Sequence, residues 1–108
     1  MNPNIFEMHA EICKVFTSSK RLEIINALRD GEKSVSELVD LLNIRQANLS
    51  QHLAILREKG VVTMRKEGQN IFYEVANPKI LQACDLMREV LLEKLSAQQL
   101  LIKEFGKK

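Results

Sequence analysis

The sequence predicts a mainly helical domain with one β-hairpin inserted ahead of its last helix, in the order α-α-α-α-β-β-α. Three observations predict it. Apolar residues recur at helical spacing through the first half of the chain. Between Val61 and Val75 the pattern switches to two β-rich runs around a glycine. From Pro78 to about Phe105 there is neither a Gly nor a second Pro, which allows one long closing helix.

Ile5, Met8, Ile12, Val15 and Phe16 give the first helix, over about 5–17. Ser18 and Ser19 interrupt and cap, and Leu22, Ile24, Ile25 and Leu28 mark a second helix that ends at Asp30-Gly31. Ser34 and Glu37 form a capping box that opens a third helix, with Val35, Leu38, Val39, Leu41 and Leu42 as its apolar set. Asn43 breaks it, and only Ile44 separates it from a fourth helix over 45–59 that Gly60 closes. Two short helices joined so tightly read as a helix-turn-helix. Residues 61–66 and 70–75 then flank Glu67-Gly68-Gln69 as a hairpin. Asn77 caps the last helix and Pro78 takes its first position. The complete order is that of a winged helix-turn-helix, expected as a single domain over 1–108. The apolar positions of the last helix, among them Leu81, Met87, Val90, Leu91 and Leu95, spread over more than one face. They call for a partner helix.

With 108 residues, 45% hydrophobic and 28% charged, the chain has the makeup of one ordinary folded domain with a modest core. Two cysteines are too few for a disulfide scaffold. No basic region followed by a long apolar run opens the chain, and no apolar run approaches a membrane span. A cytoplasmic protein without membrane contact is expected. The net charge of +2 is small, but Arg45, Arg57, Lys59, Arg65 and Lys66 face one acid, Glu58, between positions 45 and 66. That asymmetry is a local basic face suited to an anionic partner.

The fourth helix carries the chemistry. Leu49, Leu53 and Leu56 form an apolar stripe, so Ala47, Gln51 and Ala54 point outward with Asn48 and Ser50 beside them. Alanines let a backbone come close to a groove, and their methyls can meet thymine. Gln and Asn offer paired donor and acceptor atoms suited to adenine, while Arg45 can reach guanine or a phosphate. A polar face alone is most often just solvated. With the preceding helix, the hairpin and the basic asymmetry, readout of double-stranded DNA is the better reading.

The stretch "RLEIINALRDGEKSVSELVDLLNIRQANLSQHLAILREKGVV" followed by "RKEGQNIFYEV" resembles the ArsR/SmtB family of dimeric repressors, over about 11–92. The resemblance implies a homodimer formed by the first and last helices, with the fourth helix in the major groove of an inverted repeat. With the helix so placed, Arg45, Gln46, Ala47, Asn48, Ser50, Gln51 and His52 are the residues expected to meet DNA. Arg65, Lys66, Gln69 and Asn70 resemble the family's wing, which lies along the backbone or in the minor groove. Charged residues on a hairpin edge also prevent sheet-to-sheet aggregation, and both roles are compatible. His52 matches the family's "SQHL" and is expected to hold a phosphate or a structural hydrogen bond rather than a base. Relatives place Ser or Thr where Arg45 stands, and Arg cannot accept the orphan amides of the first turn.

The metal-sensing types carry cysteines in the third helix, or His and acidic ligands in the last. "ELVDLLNI" contains neither Cys nor His, and the last helix has Asp85, Glu89 and Glu93 without a histidine. No cofactor and no metal are expected, and no inducer is named. His9, Cys13 and Cys84 are the remaining sensor candidates, as ligands for a soft metal or as a thiol pair. Packing as small hydrophobes is the stronger reading of both cysteines. A winged-helix module that binds protein instead of DNA is the competing class. An enzyme is not expected, since there is no phosphate loop and His52 has no nucleophile partner.

Overall fold

The computed structural model describes residues 4–105, with side chains through residue 100. Helix α1 (Ile5–Cys13) starts at Asn4, whose Oδ1 accepts the Phe6 amide at 2.8 Å. Its last expected turn is not α-helical: Lys14–Thr17 winds as a 3-10 turn, and the Thr17 hydroxyl donates to the Lys14 carbonyl at 2.7 Å. Helix α2 (Ser19–Ala27) is capped by Ser18, which accepts from the Arg21 amide at 3.3 Å. It stops short of Asp30-Gly31, because the Leu28 amide is already shared between the Ile24 and Ile25 carbonyls at 3.2 Å each. Gly31 then turns the chain with φ of +130°.

A short strand follows that the sequence did not predict. Strand β1 (Lys33–Ser34) pairs antiparallel with β3 (Asn70–Val75), Lys33 opposite Tyr73 and Ser34 opposite Phe72. It is created by its partner: a Lys-Ser pair carries no alternation of its own. Helix α3 (Val35–Leu42) has the complete capping box. The Glu37 amide donates to Ser34 Oγ at 3.1 Å, and the Ser34 amide donates to Glu37 Oε1 at 3.0 Å. Asn43, with φ of +49°, reverses the chain in the left-handed conformation that Asn tolerates. Helix α4 (Gln46–Glu58) follows, then β2 (Val62–Glu67), β3 and α5 (Pro78–Phe105).

The sheet order is β1-β3-β2, with Glu67 opposite Asn70, so the hairpin turn is only Gly68-Gln69. Gly68 has φ of +61° at the first central position, the pattern of a type II′ turn. Asn77 Oδ1 accepts the Lys79 amide at 2.9 Å and so caps α5.

The core consists of Val15, Ile24, Ile25, Leu28, Leu38, Leu49, Leu53, Leu56, Val61 and Val62, none more than 2% exposed. These residues come from α2, α3, α4 and the elements that flank them, and Ile80, Leu81 and Cys84 of α5 pack on their edge. Helix α1 buries no residue. The radius of gyration is 17.6 Å, against about 13 Å for a compact chain of this length. The excess is consistent with α1 and the far part of α5 extending beyond the body. Their apolar residues stay open, with Phe6 76% and Met87 71% exposed.

Candidate nucleic-acid interface

Helix α4 is docked by its leucines. Leu49, Leu53 and Leu56 are buried against the core, which turns Ala47, Asn48, Ser50, Gln51 and Ala54 to the exterior. Arg45 occupies the N-cap position with extended backbone, φ −66° and ψ 139°, and its side chain caps no amide. Gln46 opens the helix and is exposed. The Ile44 amide bonds to the Val39 carbonyl at 3.3 Å, tying the turn to α3.

The folded hairpin brings its tip to this helix. Gln46 and Ser50 of α4, Gln69 and Asn70 of the wing, and Ser34 and Ser36 at the start of α3 line one open groove. Its floor is formed by Val35, Leu53, Ile71 and Tyr73. Four of the residues singled out in the sequence therefore share a single polar concavity. Lys66 is exposed on β2 beside it. Arg65 is also on β2, but its guanidinium is engaged. It donates to Glu32 at 2.6 and 3.2 Å and to Glu67 at 2.7 Å.

His52 is half-buried between the docked and open faces of α4. Arg21 of α2 donates from Nε to its Nδ1 at 3.4 Å. Burial lowers the His52 pKa below its ordinary value of 6.5, and the Arg21 and Lys20 charges push in the same direction. The imidazole is therefore held neutral, with Nδ1 as acceptor and Nε2–H free to donate. Arg21 and Glu32 escape a reading of the sequence because their partners lie 31 and 33 positions away. Ser36, in the groove lining, carries no signal in the sequence either, although the capping box around it is legible.

Cys13 is exposed on α1, whereas Cys84 packs against the core from α5. Burial pushes the Cys84 thiol above its usual pKa, which disfavours the reactive thiolate. Among the described residues of one chain, His9, Cys13 and Cys84 do not come together, and no three His, Cys, Asp or Glu residues are grouped to hold a metal ion. The physical reason is that α1 meets the 3-10 turn that follows it and does not run along α5. No helix among the described residues is long and apolar enough to cross a membrane.

Known proteins share this arrangement. The profile of the bacterial regulatory protein arsR family matches residues 18–64, from the cap of α2 into β2. The chain is 38% identical over 79 residues to the transcriptional activator HlyU of Vibrio cholerae, covering 73% of each protein. The solved HlyU structure superposes with a TM-score of 0.73 at 34% identity, covering 82% of this chain and 97% of that one. A biofilm growth-associated repressor of Agrobacterium fabrum is 44% identical over 70 residues, 65% of this chain and 60% of the repressor. The solution structure of Mb0332 from Mycobacterium bovis is described as a homodimeric winged helix-turn-helix DNA-binding domain. It superposes with a TM-score of 0.78 at 25% identity, covering 86% of each chain. With its element order, its docked α4 and its hairpin wing, this chain belongs to the ArsR family of winged helix-turn-helix transcriptional regulators.

Proposed function

We propose that the chain acts in the cytoplasm as a homodimeric repressor that binds an inverted-repeat operator, the whole of 1–108 serving as one DNA-binding and dimerisation unit. The observation that carries this reading is the shared groove of Gln46, Ser50, Gln69 and Asn70, which joins α4 to the wing tip. In this reading α4 enters the major groove. Ala47 and Ala54 allow close approach, Asn48, Ser50 and Gln51 face base edges, and Arg45 and Gln46 meet guanine or phosphate at the entry. His52 donates from Nε2 to a phosphate, while Lys66, Gln69 and Asn70 lie along the backbone or minor groove.

Dimerisation uses the open apolar faces of α1 and α5, including Phe6, Met8, Met87, Val90 and Leu91, whose exposure in one chain is costly in water. Two copies of α4 then fall about one DNA turn apart. The repressor of Agrobacterium fabrum supports repression by occlusion of a promoter, and the activator HlyU makes activation the alternative outcome of the same DNA contact. In this reading Cys84 packs against the core, and Cys13, open in one chain, packs only in the dimer. Operator binding by a Cys13→Ser/Cys84→Ser variant is expected to match the parent with and without zinc or peroxide. A difference confined to one of these treatments would make them the sensor.

The test of the main reading is selection of binding sites from genomic DNA at controlled salt, followed by anisotropy titrations. An inverted repeat whose log affinity falls linearly with log salt is expected. Failure to bind any duplex at low salt would favour a protein-binding module instead.

A further inference from the structure

Neighbouring residues of a strand face opposite sides of its sheet. On β3, Tyr73 packs on the core, and its β2 partner Met64 is approached by Arg57 of α4 at 3.6 Å. Lys66 and its partner Ile71 stand on this same inner side. Arg65 and its partner Phe72 stand on the outer side, away from α4.

There the Arg65 guanidinium lies over the Phe72 ring, 4.6 Å from its centroid. It reaches beyond β3 to Glu32, the residue just before β1. Nη2 donates to Oε1 at 2.6 Å and Nε to Oε2 at 3.2 Å, a two-pronged fork. Nη1 donates to Glu67 Oε2, at the end of β2, at 2.7 Å. One side chain thus crosses all three strands and is held at both ends. Two carboxylates around one guanidinium also leave the spot with a net negative charge, which repels a phosphate instead of attracting it.

We propose that Arg65, with Glu32 as its anchor, is a positioning residue that fixes the angle of the wing against the body, and that it does not itself meet DNA. The proposal rests on the reading that the wing reaches the duplex. It assigns a function to Glu32, an acid in a protein whose partner is a polyanion. A phosphate contact and a strap respond in opposite ways to loss of that acid. Neutralising Glu32 would release a phosphate-binding Arg65 and strengthen binding. It would loosen a strap and weaken binding.

The experiment measures operator affinity against salt for Glu32→Gln, Arg65→Lys, their double variant and Lys66→Ala, with circular dichroism to verify folding. Glu32→Gln is expected to weaken binding by about fivefold, the scale of one good surface ion pair. Arg65→Lys is expected to lose a similar factor, because an ammonium cannot hold the fork. Both should keep the parent salt slope, and the double variant should be no weaker than either single one. Tighter binding by Glu32→Gln, or parent affinity for Arg65→Lys, would overturn the strap. Lys66→Ala is expected to reduce the salt slope by about 0.9, the signature of one lost phosphate contact. If it changes neither slope nor affinity, the wing does not reach DNA, and the strap falls together with that reading. Failure of the Glu32 and Arg65 variants beside a normal Lys66 result overturns the strap alone.

Discussion

Arg29 grips the Asp85 carboxylate with two hydrogen bonds, Nη2 to Oδ1 at 2.6 Å and Nη1 to Oδ2 at 2.9 Å, and so ties the end of α2 to α5. Arg88 adds a third bond to Oδ1 at 3.1 Å, and Asn26 Oδ1 accepts from Arg29 at 3.0 and 3.1 Å. The guanidinium holds the Asp85 carboxyl below the usual carboxylate range. The cluster is partly exposed, with side chains 38% and 39% accessible, so its share of stability is small. It also joins the end of α2 directly to α5, the helix proposed above to carry part of the dimer face.

Asp85→Asn is therefore expected to shift the thermal midpoint little while relaxing operator spacing. The parent should prefer one spacer between half-sites, and the variant should discriminate less against spacers one base pair longer or shorter. Parallel titrations on three such operators check this. An unchanged preference would mean that apolar packing of Ile80 and Leu81 alone fixes the angle.

Helix α4 begins without a side-chain cap, since Arg45 cannot accept the amides of its first turn. Arg45→Ser should supply that acceptor and stabilise the fold by about 1 kcal/mol, which raises the midpoint by about 4–8 °C. The same change removes a cation from the proposed groove entry and should weaken operator binding. Thermal denaturation beside anisotropy measures both. Unchanged affinity would make Arg45 an ordinary surface residue.

His52 gives the fold a mild acid sensitivity. Its folded-state pKa lies below the ordinary value of 6.5, so the unfolded chain takes up the proton first. The stability it contributes is complete above the ordinary imidazole range and is lost as pH falls through the lowered value. His52→Gln should flatten the fall in thermal midpoint just below pH 6.5 while leaving the midpoint at about pH 8 less affected. Equal slopes for the two proteins would show that Arg21 and burial do not perturb this imidazole.

The open faces of α1 and α5 predict their own disruption. A Met87→Lys/Leu91→Glu variant places charge on residues 71% and 51% exposed in one chain, so the winged body should remain folded. Sedimentation is expected to show a monomer, and operator affinity should fall by at least tenfold as the second half-site contact is lost. A dimer that survives these changes would place the interface elsewhere.

The parts that were legible in the sequence are those governed by local chemistry. Ser34 with Glu37, Asn43 and Asn77-Pro78 announce helix ends because a cap is satisfied within three residues. The stripe of Leu49, Leu53 and Leu56 gave the orientation of α4, and with it the outward set from Ala47 to Gln51. Contacts closed by the fold were not legible. Strand β1 exists only through β3, and neither the Arg65–Glu32 fork nor the Arg21–His52 bond leaves a trace in residue spacing. The first helix ends earlier than its apolar pattern for a related reason. The apolar pattern continues through Val15 and Phe16, but the backbone there tightens as Val15 turns into the core.

Helix α5 is unbroken for 28 residues, a rod of about 42 Å. Its near end carries the winged body, and its open apolar residues begin only beyond Asp85. In the proposed dimer this makes it a lever arm. A swing of about 10° about a fulcrum roughly 20 Å along the rod moves the reading head by about 3.5 Å, close to the rise of one base pair. A signal that alters the seating of two rods by this little would shift both heads out of register with their half-sites, without touching a single residue of α4.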